Sequence, residues 1–254
     1  MSRKILSALI ALVVFNSFSL AESKPSLLFY CGITMVKPMK KIAKIIEKKH
    51  NCTIRILQGG SQDLYDSLKV NKIGDLYLPG SKGYRTKNLK DGLLGENIYI
   101  GYNKAAIFVR KGNPYGIKNL NDLDNEKLDI TLCDPETGSI GKMTKKLLIK
   151  FKGENFYEKL YEDSAIIGTD SRNLNMALIN KEADATINWR ATGFWGENSK
   201  YVDIIEIDST YAPKKELIIN LLKFAKYPKI AREFMKFAAG EQGQKIMKEY
   251  GFRD

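Results

Sequence analysis

Three short apolar runs in this chain each stop at a small polar cluster, and a helical pattern then begins. The runs are 27–31, 53–57 and 130–133, and the clusters that follow are Gly32-Ile33-Thr34, Gln58-Gly59-Gly60-Ser61-Gln62 and residues 134–141. Such a junction brings unpaired backbone N–H groups and a hydroxyl to a helix N-terminus, where the helix dipole favours an anion. One junction alone is typical of a plain turn. Three on one α/β chain predict a shared anion site outside the carboxyl ends of parallel strands.

The N-terminus is typical of a secretory signal peptide. Arg3 and Lys4 precede an apolar region at 5–20, and small residues lead to Ala21, after which we expect cleavage. The alternative is an uncleaved membrane anchor, but the apolar region is interrupted by polar residues such as Asn16 and is short of the roughly 20 residues that a spanning helix needs. We therefore predict a soluble protein in the periplasm, with 1–21 removed.

The chain is basic, with a formal net charge of +12 that falls to +10 when Arg3 and Lys4 leave with the signal. An exported protein meets little nucleic acid, so we predict no nucleic-acid partner. The lysines are spread over two predicted helices, as Lys40, Lys41, Lys44, Lys48 and Lys49 and as Lys142, Lys145, Lys146 and Lys150. They form either a solvated helix face or a positive field that raises the on-rate of a small anion.

Cysteine and histidine are too few for common catalytic or metal sites. Cys31 closes one predicted strand and Cys52 precedes the next, so in parallel neighbours they lie at opposite ends, beyond the roughly 7 Å that a disulfide allows between Cα atoms. The third, Cys133, ends another strand. The single histidine, His50, is predicted to cap a helix C-terminus. One histidine and three cysteines are too few for a Ser-His-Asp triad or a zinc cluster to be expected. We therefore predict no enzyme activity, metal or cofactor.

The hydrophobic pattern along the chain predicts two groups of alternating strands and helices. Such alternation is typical of parallel sheets covered by helices. Predicted strands are 27–31, 53–57, 75–78, 129–133, 165–168 and 183–188, and predicted helices are 37–49, 62–71, 142–151 and 173–180, with more helix through 229–250. Two long apolar strands, 105–110 and 217–224, are predicted to cross between two lobes. Lobe 1 is then discontinuous, 22–104 plus 218–254, and lobe 2 is 105–217. Residues 82–103 are the least regular stretch.

Several segments, in order along the chain, resemble the two-lobed periplasmic solute-binding proteins of ABC importers, and within them the molybdate-binding branch. They are Gly59-Gly60-Ser61 with Leu64, Gly74-Asp75-Leu76-Tyr77-Leu78-Pro79, Val109-Arg110-Lys111-Gly112-Asn113-Pro114, Asp134-Pro135-Glu136 with Gly141-Lys142, and Tyr250-Gly251-Phe252. The resemblance implies an α/β fold of two βα domains joined by two crossover strands, with a ligand cleft between them. It also implies a small anionic ligand such as molybdate or tungstate, an inner-membrane permease as partner, and no catalysis. We expect a monomer.

The resemblance also implies site residues. Hydroxyls and backbone N–H groups hold the oxyanion in that family, and the matching positions here are Thr34, Gly60, Ser61, Ser139, Ile140, Ser171 or Arg172, and Trp189. A site built only of donors selects a fully ionised oxyanion, which has no proton to donate.

Two features depart from the molybdate pattern. Trp189 stands where a tyrosine often binds the ligand, and Arg190 and Arg172 lie close to the predicted site. Arginine binds carboxylate or phosphate bidentately, so both residues favour an organic carboxylate or a phosphate ester, with Arg190 as a charged clamp. Alternatively, both arginines pair with Asp134, Asp170 or Asp184. A surface antigen or adhesin that kept the fold is a further alternative.

Overall fold

The computed structural model describes residues 24–137 and 139–254, so the predicted signal peptide lies outside the described residues. The strands are Ser26–Gly32 (β1), Thr53–Gly59 (β2), Leu76–Leu78 (β3), Leu94–Asn103 (β4), Ala105–Arg110 (β5), Ile130–Cys133 (β6), Ile166–Gly168 (β7), Ala185–Trp189 (β8), Val202–Glu206 (β9) and Lys215–Leu222 (β10). The α-helices are Val36–His50 (α1), Ser61–Asn71 (α2), Lys82–Asn88 (α3), Ser139–Lys152 (α4), Glu154–Glu162 (α5), Ser171–Ile179 (α6), Pro228–Ala239 (α7) and Glu241–Glu249 (α8).

The strands form two five-stranded sheets, in the orders β2-β1-β3-β10-β4 and β7-β6-β8-β5-β9. In the first sheet β1 is parallel to β2 and β3, and in the second β6 is parallel to β7 and β8. The remaining strands pair antiparallel. Each sheet thus joins three parallel strands of βα units to two antiparallel ones, which confirms the predicted α/β class.

Two connections pass between the sheets, as predicted, and each lies directly before one of the strands predicted as crossings. Strands β4 and β5 are separated by Lys104 alone, and residues 207–214 link β9 to β10. The strands predicted as crossings, β5 and β10, each lie within one sheet. The prediction also missed α3, β4, α5 and β9. In β4 most residues of the first half are exposed or half-buried, so this strand lacks the apolar run that marks a buried strand. The lobe boundaries 22–104 plus 218–254 and 105–217 stay a prediction.

Helices cover both faces of each sheet. On one face of the first sheet a large cluster joins β1 to α1, α7 and α8, with the rings of Phe29 and Phe234 edge to face at 5.2 Å. On its other face a smaller cluster includes Tyr65 of α2 and Tyr77 of β3. The second sheet has an equivalent large and small cluster. Close-packed cores of this kind hold strand ends in fixed positions.

Two buried carboxylates fasten the amino ends of the central strands. Asp75 accepts hydrogen bonds from the backbone N–H of Leu28 at 3.0 Å and of Tyr227 at 2.8 Å. Asp184 accepts from the N–H of Asp129 at 3.0 Å and pairs with Arg110 at 2.5 Å. Asp75 precedes β3 and Asp184 precedes β8, so the same device occurs once in each sheet.

The three cysteines are buried free thiols. The parallel register pairs Ser26 with Thr53 and Gly32 with Gly59, so Cys31 and Cys52 lie at opposite ends of the β1–β2 pair. Burial raises the pKa of each thiol, that of Cys133 to about 11, which keeps them protonated at neutral pH.

The capping prediction for His50 was wrong by one residue. His50 is the last residue of α1, and Asn51 ends the helix in a left-handed conformation with φ of 46°. Asparagine tolerates this conformation better than histidine does, because its short side chain bonds locally. No helix within 24–137 or 139–254 is both long and apolar enough to cross a membrane.

Candidate anion-binding cleft

The carboxyl ends of the six parallel strands open onto one cavity of about 390 Å³. The lining residues come from the ends of β1, β2, β3, β6, β7 and β8 and the segments that follow them, with Asn103 added from the end of β4. They are Gly32, Ile33, Thr34, Met35, Gly59, Gly60, Ser61, Gln62, Asp63, Gly80, Tyr84, Asn103, Glu136, Thr137, Ser139, Ile140, Lys142, Thr169, Asp170, Ser171 and Trp189. The three junctions found in the sequence therefore meet at one place between the sheets.

Three hydroxyl groups in this cavity share one hydrogen-bond arrangement. Ser61 Oγ accepts from the backbone N–H of Gly80 at 2.9 Å, and Ser139 Oγ accepts from Trp189 Nε1 at 3.3 Å. The third, Thr34 Oγ1, accepts from an asparagine amide, Asn103 Nδ2, at 3.4 Å. A hydroxyl carries one proton to donate and two lone pairs. Because an N–H group occupies the acceptor side of each hydroxyl, each proton is directed elsewhere.

The donation from Thr34 goes to a weak acceptor. Its Oγ1 lies 2.9 Å from the thioether sulfur of Met35, a poor hydrogen-bond acceptor. An anion oxygen in the cavity would be a better acceptor for this proton. The other two hydroxyls, Ser61 and Ser139, make no donation to a protein group within the described residues.

Helix N-termini supply further donors. Helix α2 begins at Ser61 with Gly60 as its N-cap and no side-chain cap, and its first intrahelical bond runs from the N–H of Leu64 to the carbonyl of Gly60. Helix α4 begins at Ser139 and Ile140. The first N–H groups of such helices lack intrahelical partners. These backbone donors join the hydroxyls at the cavity wall.

The N-terminus of α6 is already capped. Asp170 accepts a hydrogen bond from the N–H of Arg172 at 2.7 Å, and Ser171 is buried with its carbonyl accepting from Asn188 Nδ2 at 3.0 Å. Ser171 lines the cavity, but this helix has less free donor capacity than α2, which has no side-chain cap.

The two arginines expected at the site lie elsewhere. Arg172 forms an ion pair with Asp170 at 2.5 Å and lines a different cavity, beside Trp195. Arg190 pairs with Glu206 at 2.5 Å and donates to the carbonyl of Gly251 at 2.9 Å. Neither is among the residues that line the anion cavity. The alternative that both arginines pair with Asp134, Asp170 or Asp184 is confirmed for Arg172, which pairs with Asp170. It is wrong for Arg190, whose carboxylate partner is Glu206.

Trp189 stands where the molybdate-binding branch often has a ligand-binding tyrosine, but its side chain has a different role. Its indole N–H donates to Ser139 Oγ, so it orients a hydroxyl of the site and is itself 6% exposed. Phenol and indole differ here because indole has a donor and no acceptor.

The cavity also contains acidic side chains. Asp63, Glu136 and Asp170 line it, against one ammonium group, Lys142. The charge of Asp170 is offset by Arg172. Burial acts to raise the pKa of Asp170, but the hydrogen bonds and the positive charge of Arg172 outweigh it and lower the pKa. Within the described residues no group of three or more His, Cys, Asp or Glu side chains could hold a metal ion.

Several lining residues were not predicted as site residues, and four of them bear on the chemistry of the cavity. Asn103 and Gly80 support the hydroxyls, and Lys142 and Tyr84 line both this cavity and a neighbouring one. Burial, with a smaller contribution from Asp63, raises the pKa of Tyr84, so its phenol stays a proton donor at neutral pH. Lys142 could have been identified from the sequence, because it belongs to the Gly141-Lys142 motif. No sequence pattern pointed to Asn103, which lies 69 residues from Thr34 along the chain.

The chain matches the bacterial extracellular solute-binding protein family over residues 27–253, and it belongs to that family. A putative binding protein of Haemophilus influenzae is 25% identical over 94% of this chain and 95% of its own length. Among solved structures, the substrate-binding domain of a putative molybdenum ABC transporter from Clostridium difficile superposes with a TM-score of 0.73 and is 18% identical. The match covers 91% of this chain and 99% of that domain. L-phospholactate-bound PEB3 of Campylobacter jejuni superposes with a TM-score of 0.72 and is 18% identical, and the match covers 90% of this chain and 99% of PEB3. These likenesses confirm the predicted two-lobed periplasmic binding protein fold.

Proposed function

We propose that this chain is an exported solute-binding protein that captures an oxyanion group in the cleft between its two sheets and delivers its ligand to an ABC permease. The family membership supports solute binding outside the cytoplasm. The Clostridium difficile neighbour, described as part of a molybdenum ABC transporter, supports the permease as partner and makes molybdate and tungstate the first bare oxyanions to test. No chemical step is needed for this role.

The observation that carries the proposal is the set of three hydroxyls, Thr34, Ser61 and Ser139, whose acceptor sides are each filled by an N–H group. Ser61 and Ser139 then have protons to offer to the cavity, and the Thr34 proton has only the weak thioether acceptor of Met35. A group that can only accept, such as an ionised oxyanion, satisfies all three together with the first N–H groups of α2 and α4. A neutral ligand would lack the charge-assisted strength of these bonds.

The two sheets contribute separately to the site. Thr34 and Ser61 follow strands of the first sheet, and Ser139 follows a strand of the second. A ligand that bridges them binds the closed arrangement better than an open one, and this differential affinity drives closure. The proposed mechanism is therefore capture by closure of the cleft, with release when the permease opens it.

Calorimetry with molybdate, tungstate, sulfate and phosphate tests the proposal on the wild type and on Ser61→Ala and Ser139→Ala. Loss of one hydrogen bond to a charged group costs about 1.5–3 kcal/mol, so each variant should weaken binding about 10- to 150-fold. Ser67→Ala is the matched control, because Ser67 lies on α2 but does not line the cavity. Unchanged affinity in both site variants would refute the assignment of the hydroxyls.

A further inference from the structure

A second cavity of about 510 Å³ adjoins the anion cavity and carries most of the positive charge of the cleft. Its ionic lining residues are Lys82, Lys142, Lys146, Lys214, Lys215 and Glu216. The hydroxyl cavity, in contrast, contains three carboxylates and one lysine. The strongest attraction for a negative group in the cleft therefore lies beside the hydroxyls rather than among them.

Three of these lysines have no acidic partner within the described residues. Lys82 pairs with Glu216 at 2.9 Å, and Lys214 pairs with Asp254 at 2.5 Å. The other three, Lys142, Lys146 and Lys215, take part in no ion pair there. Lys142 and Lys146 are four residues apart on α4, a like-charge spacing that costs a helix about 0.2–0.5 kcal/mol. An anion between them and Lys215 would remove that repulsion.

The two cavities form one continuous cleft. Gly80, Tyr84, Ser139, Lys142 and Trp189 line both. Trp189 lies at the boundary, with its indole N–H on Ser139, and Met143 adds an apolar surface to the outer cavity. An aliphatic linker of a few carbons can pack on these groups while its two ends reach opposite cavities.

From this charge distribution we infer that the ligand is an organic molecule with two anionic groups. One is an oxyanion group held by the hydroxyls Thr34, Ser61 and Ser139, and the second is bound by Lys146 and Lys215 in the outer cavity. The inference rests on the proposed function and names its substrate class. Lys142, which lines both cavities, contributes to both subsites.

A homologous ligand series tests this inference by calorimetry at low salt. The diacids are phosphonoacetate, 3-phosphonopropionate and 4-phosphonobutyrate, which cover a range of spans, and each is compared with the alkylphosphonate of the same chain length. We expect at least one diacid to bind about tenfold or more tightly than its monoacid partner, because the added carboxylate gains charge-assisted bonds to lysine. The advantage should shrink as salt is raised.

The double variant Lys146→Gln/Lys215→Gln should reduce this advantage to less than twofold and leave the alkylphosphonate affinity within twofold of wild type. Lys145→Gln is the charge-matched control, because Lys145 neighbours Lys146 but lies over the ring of Tyr157. Melting temperatures of all variants establish that they fold.

The two proposals fail in different ways. If alkylphosphonates or bare oxyanions bind and depend on Ser61 and Ser139, but no diacid gains more than twofold, the second subsite is refuted and the oxyanion site stands. A gain that persists in the double variant also refutes it. If no anion binds at all, the proposed function itself is wrong.

Discussion

Side-chain direction decides the role of the polar residues at the end of β8. Trp189 and Arg190 are consecutive, yet the Trp189 indole reaches Ser139 in the cleft while the Arg190 guanidinium reaches Glu206 and the carbonyl of Gly251. Successive side chains at a strand end point to opposite sides. One neighbour therefore supports the anion site and the other braces the region where the chain passes between sheets.

Asp63 offers a test of the charge balance at the hydroxyls. Its carboxylate lies in the first turn of α2, beside Gly60, where it opposes an incoming anion. We expect Asp63→Asn to tighten oxyanion binding about fivefold at low salt, since a unit charge about 4 Å away in water contributes about 1 kcal/mol. The measurement is calorimetric titration with the anion that binds the wild type.

The control is Asp66→Asn on the same helix, since Asp66 accepts from Gln62 and does not line the cavity. Equal affinities for wild type and Asp63→Asn would show that solvent screens this carboxylate fully, and weaker binding would show that it has a positive structural role in the site.

At the scale of elements, the close approach of α4 to β6 places Ser139 at the cleft. A Cβ on Gly141 would lie 2.3 Å from the carbonyl oxygen of Asp134, so only glycine fits between this helix and the strand end. Both contacting groups are backbone, which cannot move as a flexible side chain does. The glycine is therefore part of how the second sheet presents its hydroxyl.

Gly141→Ala should lower the free energy of unfolding by about 1–3 kcal/mol, the usual cost of overpacking. It should also weaken anion binding, because α4 must shift away from the cleft. Chemical denaturation and calorimetry measure the two effects. Gly196→Ala is the control, since its Cβ would meet no atom within 4 Å. An unaltered stability in Gly141→Ala would contradict the close packing of α4.

The ion pairs of Glu206 connect the element ends near the passage between sheets. Lys104, the single residue between β4 and β5, binds Glu206 at 2.8 Å, and Arg190 binds the same carboxylate. Burial acts to raise the pKa of Glu206, but the hydrogen bonds from Lys104 and Arg190 outweigh it and lower the pKa below the ordinary 4.5.

A lowered folded-state pKa means that this contribution to stability is present above pH 4.5 and is lost as pH falls through the folded-state value. We expect Glu206→Gln to melt below wild type at pH 7, and the difference to shrink below pH 4.5. Calorimetric melting across pH 7 to 3 checks this. A difference that stayed constant with pH would show that the carboxylate charge does not act here.

At the scale of the whole molecule, one ion pair joins helices and loops that belong to different sheets. Lys37 of α1 pairs with Glu197, which lies between β8 and β9, and its ammonium also lies 4.6 Å over the ring of Trp195. The ring of Phe194, the neighbour of Trp195, also lies so near Gly251 that a Cβ there would come within 2.5 Å. These contacts hold the two sheets in the observed arrangement.

Because the Lys37–Glu197 pair spans the sheets, its loss should shift the equilibrium away from the arrangement in which the pair forms. We expect Glu197→Gln to weaken ligand binding by up to about fivefold, since exposed pairs contribute about 0.2–1 kcal/mol. Titration calorimetry measures the affinity, and small-angle scattering should show a larger radius of gyration at subsaturating ligand.

The matched control is Glu249→Gln, whose partner Lys41 is also on α1 but pairs within the first sheet's helices. If both variants bind the ligand as wild type does, the Lys37–Glu197 pair makes no difference between open and closed arrangements.

The sequence determined the local features of this protein. Apolar runs, glycines and hydroxyls at 27–34, 53–62 and 130–141 are short-range signals, and they correctly indicated strands that end at helix starts on one cleft. The tertiary structure alone decided which side chains enter that cleft. The pairs Thr34–Asn103 and Arg190–Gly251 join residues 69 and 61 positions apart. Such contacts depend on how the two sheets pack, so no local pattern could place Asn103 in the site or Arg190 outside it.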